Sequence, residues 1–554
     1  MRQKYLRRYN NQTLTFGLRN FKPFKELQKI NIKPLTVICG TNNCGKSSLI
    51  QSILLLSQSL ASSYREFRGI PRYYHTREKI KYKKSLYFEG EFCHLSDYDN
   101  TINSYSIDKE LEFEFKGSDN KLKIIFSNPK SELLVAYMKS IIYEGDGMNL
   151  KLDAVLNKDG LVDSYFLTMY DVYLTELCDN SFELLEQLFD KKKRFLKKLN
   201  FIKFPEWECK DVSIIFSGFI PEDILIPNKP LLRLIKEKLE ENREKIKNVQ
   251  NKPDDLKTIL ERLEKGIAEK ERRHFRFYDN FFSITINKSD FLDFFSNIHY
   301  IGPLRSDPHR YYQFFDIKQF KIGNRGEFTP QILTLERNVE IPKFYIYDIL
   351  GDILSFNKYK SLSLKEGLEL WSKKLDLPSI DPKKVEQTLF KIMVKLPVGD
   401  KAVTLQDVGF GISQILPVYV ESLRMEENNT LILEQPEIHL HPSMQSKLAD
   451  FLLSMAYSGK KFIIETHSEH IINRLCLRIA QDPKNKIKDL ISMVFLEPPK
   501  IKKEKYEGTI IKELEINKYG EVENWPIGFF DESDFGKILA AAIDKRKRET
   551  EEKL

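Results

Sequence analysis

Residues 40–47 read Gly-Thr-Asn-Asn-Cys-Gly-Lys-Ser, a complete G-x-x-x-x-G-K-[ST] phosphate-binding loop. Its flanks decide the fold. The apolar run Leu35-Thr36-Val37-Ile38-Cys39 before it reads as a buried strand. Ser48-Leu49-Ile50-Gln51-Ser52-Ile53-Leu54-Leu55-Leu56 after it reads as a helix. In that order, the glycines let the backbone curl so that N–H groups face phosphate oxygens at a helix N-terminus. Lys46 then neutralises the β- and γ-phosphates, and the Ser47 hydroxyl ligates Mg2+. The chain is expected to be an α/β nucleotide-binding protein.

A chain of 554 residues can bury more than one core. With 41% apolar and 30% charged residues it has the composition of a globular protein. No run approaches 18 apolar residues, so no membrane contact is expected. The start, Met1-Arg2-Gln3-Lys4-Tyr5-Leu6-Arg7-Arg8, is basic but lacks the apolar core of a secretion signal. The six cysteines, Cys39, Cys44, Cys93, Cys178, Cys209 and Cys476, are scattered without a C-x-x-C pair. That pattern points to reduced thiols rather than a disulfide framework or a zinc site. Together with the need for ATP, it gives a cytoplasmic expectation. A net charge of +8 permits nucleic-acid contact without demanding it.

The chain changes character along its length. Residues 1–100 carry the phosphate loop and read as the first half of an ATPase head. Residues 101–178 alternate apolar and polar, as in Leu111-Glu112-Phe113-Glu114-Phe115, and read as an antiparallel β lobe. Residues 179–290 read as a helical insertion with a hairpin at 229–275. Its arms, around Leu231–Glu240 and Leu256–Lys265, are broken by Asn251-Lys252-Pro253-Asp254-Asp255, with Pro253 at a helix start. At about 1.5 Å per residue each arm spans roughly 30–35 Å. Residues 291–490 hold a second dense cluster of motifs. Residues 491–554 read as a small β-rich end with a charged tail containing Lys545-Arg546-Lys547-Arg548.

In that second cluster Thr430-Leu431-Ile432-Leu433-Glu434-Gln435-Pro436-Glu437 is an apolar strand ending in acids. It has the layout of a Walker B element, which carries a carboxylate to the sheet edge opposite the phosphate loop to serve Mg2+. Upstream, Gly409-Phe410-Gly411-Ile412-Ser413-Gln414 precedes an apolar helix and forms a second anion-binding helix start. Downstream, Glu465-Thr466-His467-Ser468 ends another buried strand, and His467 is placed to sense a γ-phosphate. Gly411 lies 23 residues before Glu434, and His467 lies 33 residues after it. The order of phosphate loop, long insertion, Gly-Ser-Gln loop, Walker B and strand-end histidine is that of the ATP-binding-cassette (ABC) superfamily. In that architecture the Gly-Ser-Gln loop caps ATP bound by a second copy.

The segments Asp407–Gln414, Glu434–Pro442 and Glu465–His470 resemble the overcoming-lysogenization-defect (OLD) and RecF/SMC-like branch of the ABC ATPases. Within it the chain is similar to the PtuA-type ATPase subunits of Septu and retron-associated antiphage systems. Tyr300-Ile301-Gly302-Pro303-Leu304-Arg305 and Asn524–Glu532 carry the same resemblance. It implies an ABC-type head: a mixed sheet flanked by helices, an antiparallel β lobe and an inserted helical subdomain. It also implies roles. Gly40, Asn43, Gly45, Lys46, Ser47 and Ser48 hold the phosphates. Ser47 and Glu434 serve Mg2+. Gly409, Gly411, Ser413 and Gln414 contact ATP in trans, and His467 is the switch histidine. Heads pair as a dimer or a higher even oligomer.

One departure matters. Most ABC ATPases place the catalytic Glu directly after the Walker B acid, and here that position is Gln435. An amide cannot take a proton as a carboxylate does. Either Glu437 positions the water, or hydrolysis is very slow. No D-x-D pair of the kind a TOPRIM nuclease needs follows the ATPase motifs. His439, His441 and His470 flank those motifs and do not have HNH spacing. The chain is therefore expected to lack a nuclease site and to need an HNH-type partner, with nucleic acid or a reverse transcriptase–RNA complex as further partners. The competing reading is a RecF/SMC-like DNA clamp, with Lys191-Lys192-Lys193-Arg194 touching phosphates. A Q-loop is not assigned, since Gln51 and Gln58 both fall in the helix after the phosphate loop.

Overall fold

The structure is a computed structural model. It describes residues 14–67, 86–118, 120–128, 136–145, 148–158, 162–173, 203–217, 220–249, 260–261, 281–285, 289–315, 321–350, 353–395, 402–502 and 505–526. These fall into two compact units. One is built from Ile30–Ile50 and the chain from Asn297 onward, the other from Thr13–Lys29 and Gln51–Ser296.

The first unit is built on a sheet whose strand order is Ile298–Ile301, Thr430–Glu434, Lys461–Glu465, Leu35–Gly40, Ile491–Glu497 and Ile510–Glu513. The first five run parallel, and the last is antiparallel to its neighbour. Leu35–Gly40, Thr430–Glu434 and all of Lys461–Glu465 except its first residue are buried, as the continuous apolar runs of a sheet covered on both faces require. Helices Phe410–Arg424, Pro442–Tyr457 and Glu469–Ala480 share one buried cluster with the face that carries Leu35, Val37, Leu431, Leu433, Phe462 and Ile464. Trp371 and Tyr419 each pack edge-on against Phe451, with ring centroids 4.7 and 4.5 Å away.

Polar contacts hold these helices in place. The wholly buried carboxylate of Asp450 takes Arg478 through both oxygens, at 2.6 and 2.8 Å, and Arg474 at 2.8 Å. Lys460 is also fully buried and donates to the carbonyls of Ser422 and Leu423 at 2.7 and 2.9 Å. It thereby satisfies the open C-terminal end of helix Phe410–Arg424. Burial pulls its ammonium down to about 7.

The second unit is an antiparallel sheet. Its strands run in the order Leu14–Arg19, Glu110–Lys116, Asn120–Ser127, Tyr137–Gly145, Met148–Leu156, Val162–Tyr173, Lys203–Ser217, Ile220–Pro227 and Phe281–Thr285. Phe115 meets Phe291, Phe294 and Phe295 of the helix Ser289–Ser296 at 5.3–6.1 Å.

Three sequence boundaries are corrected. Residues 179–290 are not wholly helical, because Lys203–Ser217, Ile220–Pro227 and Phe281–Thr285 extend the antiparallel sheet. Charged residues and three prolines in these strands hide the period-two pattern. Helices Asn228–Glu241 and Arg243–Val249 stand where the first hairpin arm is expected. The second arm lies outside the described residues apart from 260–261. The boundary at 490 cuts the parallel sheet, since Ile491–Glu497 pairs with Leu35–Gly40. Of residues 1–100, only the stretch around the phosphate loop groups with the later motifs.

Removing the Asp450 carboxylate leaves two arginines without their counter-charge, one of them buried. Asp450→Ala is expected to cost about 3–5 kcal/mol in chemical denaturation. Lys484→Ala, on an exposed residue, is the control and is expected to stay within about 0.5 kcal/mol of the parent.

Candidate functional site

The phosphate loop begins where strand Leu35–Gly40 ends. Gly40, Asn43 and Gly45 have φ of 149°, 59° and 98°, values that glycine takes freely and asparagine more readily than most residues. A Cβ on Gly40 would stand 2.7 Å from the Leu496 carbonyl and 2.8 Å from the Cys44 sulfur, so no side chain fits. The Thr509 hydroxyl donates to the Cys44 carbonyl at 2.8 Å and pins the loop from the far side. Lys46 is buried inside the loop and donates to the carbonyls of Thr41 and Gly40 at 2.7 and 3.2 Å. Helix Lys46–Phe67 starts here, with Ser48 half-buried in its first turn.

Three carboxylates converge on this loop from the neighbouring strand ends. The sequence pairs Ser47 with Glu434, but the strand order puts Lys461–Glu465 between them. The Ser47 hydroxyl lies 3.0 and 3.3 Å from the two oxygens of Glu465. Glu465 stands in register with Glu434. Burial, then the charge of Glu434, pushes the Glu465 carboxyl up to about 7, against the pull of Lys46 and Ser47. Burial also raises Glu434, while the Tyr300 hydroxyl, donating to its Oε1 at 2.8 Å, works the other way.

Glu437 arrives by a turn. Gln435 and His439 take φ of 44° and 64°, and Ile438 and Leu440 donate back to the carbonyls of Gln435 and Glu437. The Gln435 N–H still extends the ladder to the Glu465 carbonyl at 2.8 Å. The turn buries Glu437, whose Oε1 accepts the His467 N–H at 2.8 Å. Burial raises its carboxyl, opposed by His467, Thr466 and the charge of Arg305. The His467 ring is half-buried, and burial and the Lys46 charge hold it below its usual value. It is therefore neutral at pH 7.

Gly40, Asn43, Gly45, Lys46, Ser47, Glu434, Glu437 and His467 thus share one sheet edge. The predicted trans residues form their own element. Gly409 opens helix Phe410–Arg424, and Gly411 packs 3.0 Å from the His439 carbonyl, measured from an added Cβ. Ser413 turns its hydroxyl onto the Phe410 carbonyl at 2.7 Å, and the buried Gln414 leaves its amide nitrogen unpartnered. No hydrogen bond or ion pair among the described residues joins Gly409–Gln414 to the phosphate loop. Phe410 is exposed and meets the exposed His439 ring edge-on at 5.1 Å.

Sequence reasoning missed Glu465, Tyr300 and Arg305. Glu465 carried a usable signal, because its strand ends in an acid as the Walker B strand does. Gln58 is committed elsewhere: its carboxamide bonds backbone groups of Tyr87, Phe92 and Cys93. Gln51 accepts from Lys22 at 2.6 Å. Among the described residues no cluster of three or more His, Cys, Asp or Glu side chains is arranged to hold a metal. Glu465, Glu434 and Ser47 nevertheless form a hard-oxygen set of the kind Mg2+ takes when phosphates supply further ligands. The like charges of the two buried carboxylates make a divalent cation a fitting occupant.

Residues 15–472 match a family described as AAA ATPase domain. Residues 488–536 match a family described as protein of unknown function, DUF3696. No curated protein matches. Among solved structures, the SMC head domain from Thermotoga maritima is similar, at 9% identity and a TM-score of 0.31, covering 91% of this chain and 99% of that one. A second is the SmcHead bound to the C-winged helix domain of ScpA, at 10% identity and a TM-score of 0.33, covering 91% and 98%. At such scores the fold rests on the sheet order and loop geometry above. Among the described residues no helix is long and apolar enough to cross a membrane.

Because the folded Glu465 carboxyl sits above its ordinary 4.5, its contribution to stability is present below about 4.5 and lost as pH rises through about 7. Without divalent cations, the melting temperature is expected to fall between about pH 5 and 7.5 through this group. Glu465→Gln is expected to flatten that fall in calorimetry.

Proposed function

We infer that this chain, which belongs to the AAA ATPase domain family, hydrolyses ATP slowly and uses it to join two heads that control a partner nuclease in bacterial antiphage defence. The observation that carries the ATPase part is the Ser47 hydroxyl on both oxygens of Glu465, beside Glu434 and the buried Lys46. That is a phosphate loop facing paired acids across one sheet edge, the layout phosphoryl transfer uses. Mg2+, when bound, supplies neutralisation of phosphate charge, and Ser47, Glu465 and Glu434 are the residues that would hold it.

The other residues take roles from their positions. Lys46 offers its ammonium to the β- and γ-phosphates. Neutral His467 offers an uncharged ring to the terminal phosphate. Water adds to the terminal phosphorus, the bond to the ADP oxygen breaks and ADP leaves with the electron pair. The water's proton passes to Glu437, because the Gln435 amide cannot take it. A base that enters by a turn rather than from the strand end fits a slow latch better than a fast motor. The helix opening at Gly409, joined to its own phosphate loop by no hydrogen bond among the described residues, fits closure over a second copy's ATP.

The defence assignment, of the Septu or retron-associated kind, is supported by the motif resemblance in Asp407–Gln414, Glu434–Pro442 and Glu465–His470. The expected partner is an HNH-type nuclease.

Lys46→Ala is expected to lower hydrolysis about a hundredfold or more and to abolish ATP-dependent pairing in light scattering. Closure and activity surviving in that variant would contradict the latch. Steady-state turnover of many per second by the isolated chain would contradict slow hydrolysis. Recovery from native cells of a complex with a nuclease, binding DNA only when complete, supports the controller. Salt-sensitive, ATP-dependent DNA binding by the chain alone supports a clamp instead.

A further inference from the structure

We propose that Tyr300 is a positioning residue for the divalent cation of the nucleotide site: its hydroxyl orients the Glu434 carboxylate, and the bare backbone of Gly302 gives it room to do so. The inference rests on the ATPase reading above and deepens it.

Tyr300 lies in Ile298–Ile301, the edge strand of the six-stranded sheet. It pairs with Ile432, two residues before Glu434 on the neighbouring strand. Paired residues share a face, and so do residues two apart along a strand. Tyr300 and Glu434 therefore project from one face, and Glu465, in register with Glu434, shares it. The half-buried Tyr300 donates its hydroxyl to Glu434 Oε1 at 2.8 Å. The far end of its ring lies over Gly302. A Cβ there would stand 3.1 Å from the hydroxyl oxygen and 3.5 Å from the ring carbon that bears it. Gly302 is buried, and its N–H donates to the Asn324 carbonyl at 2.8 Å, which fixes the floor beneath the ring. The strand is anchored from its other face, where His299 Nδ1 lies 2.6 Å from Glu421 Oε1. Further along, Arg305 donates to the Glu434 carbonyl at 3.2 Å. One short segment thus holds Glu434 by its side chain and by its backbone.

A carboxylate at a strand end turns about its last bond, and Mg2+ demands its ligands in near-ideal directions. A hydrogen bond to one oxygen stops that rotation and fixes where the other oxygen points. This is the relation of an outer partner to a metal ligand: it does not touch the cation but sets the ligand that does. The phenol suits the place. It is a neutral donor, so it leaves the charge of Glu434 for the cation, where a lysine or arginine would compete with it. Phenylalanine in its place keeps the ring over Gly302 and loses only the donor.

The test uses the full chain with Mn2+ in place of Mg2+ and a non-hydrolysable ATP analogue, bound Mn2+ being read by electron paramagnetic resonance. Tyr300→Phe is expected to raise the Mn2+ dissociation constant about tenfold or more. Its affinity for the analogue without metal should match the parent's. Gly302→Ala displaces the hydroxyl by a few tenths of an ångström and should give a smaller rise of the same kind. On a Glu434→Gln background Tyr300→Phe should add nothing, as expected of two residues acting as one unit. In hydrolysis Tyr300→Phe should raise the half-saturating Mg2+, while the rate at saturating Mg2+ returns to the parent's, a split that loss of folding would not produce. Leu304→Ala, on an exposed side chain of the same segment, is the control and should bind Mn2+ as the parent does.

Parent-like Mn2+ affinity in a folded Tyr300→Phe protein overturns the inference. So does an equal further loss on the Glu434→Gln background, or a loss of analogue affinity without metal as large as the loss with it. If Tyr300→Phe does not fold, Gly302→Ala decides, and parent-like Mn2+ affinity there overturns the proposal. If Mn2+ binds the unaltered chain no better with the analogue than without it, the ATPase reading falls and this role with it.

Discussion

Three carboxylates buried within one sheet edge are the constraint around which this chain is arranged. Glu434 and Glu465 sit in register on adjacent strands, and Glu437 folds back beside them. Like charges in a dry setting repel, and each group responds by holding its proton more tightly. Lys46, Ser47, Tyr300 and Arg305 oppose that tendency. Nothing in the strands themselves favours such crowding. The strands that carry it are buried in register, and the helices packed on them are tied by Asp450, Arg474, Arg478 and Lys460.

Helix Phe410–Arg424 connects this edge to the rest of its unit. Its last turns carry Glu421 and Arg424. Glu421 lies 2.6 Å from His299 Nδ1, and Arg424 grips Glu336 through two nitrogens, at 2.6 and 3.0 Å. Burial alone would raise the Glu421 carboxyl, but His299 and Arg424 outweigh it and hold it below its usual value. His299 adjoins Tyr300, which bonds Glu434, and Arg305 lies a few residues beyond. One short stretch of chain therefore touches both the end of that helix and the acids.

What the sequence revealed depended on how local each feature is. The phosphate loop was readable because strand, glycines, lysine and helix follow one another without a gap. The Walker B strand and His467 were readable because an apolar run ends in a polar residue. Glu465 lay in plain view but was overshadowed by the histidine two residues later. Arg305 closed a segment whose resemblance was noted, but no role could be read for it, since its contact with the Glu434 carbonyl spans more than a hundred residues. The strands within 179–290 were hidden for another reason. Lys203-Phe204-Pro205-Glu206-Trp207-Glu208 mixes charge with a proline, and strand pairing with Val162–Tyr173 overrides that local composition.

The placing of Leu35–Gly40 between Lys461–Glu465 and Ile491–Glu497 also bears on how the molecule is made. Cys39 bonds the carbonyl of Val494, 455 residues later. At about 5–20 residues per second, a ribosome needs roughly 20–90 s to deliver the second after the first. For most of that interval the phosphate-loop strand has neither flanking neighbour, and the three acids are made only in its last part. The loop emerges early and matures last. A nascent or truncated chain that stops before Lys461 carries the whole nucleotide motif yet has no sheet to mount it on. Acquisition of ATP affinity is then a readout of completed synthesis.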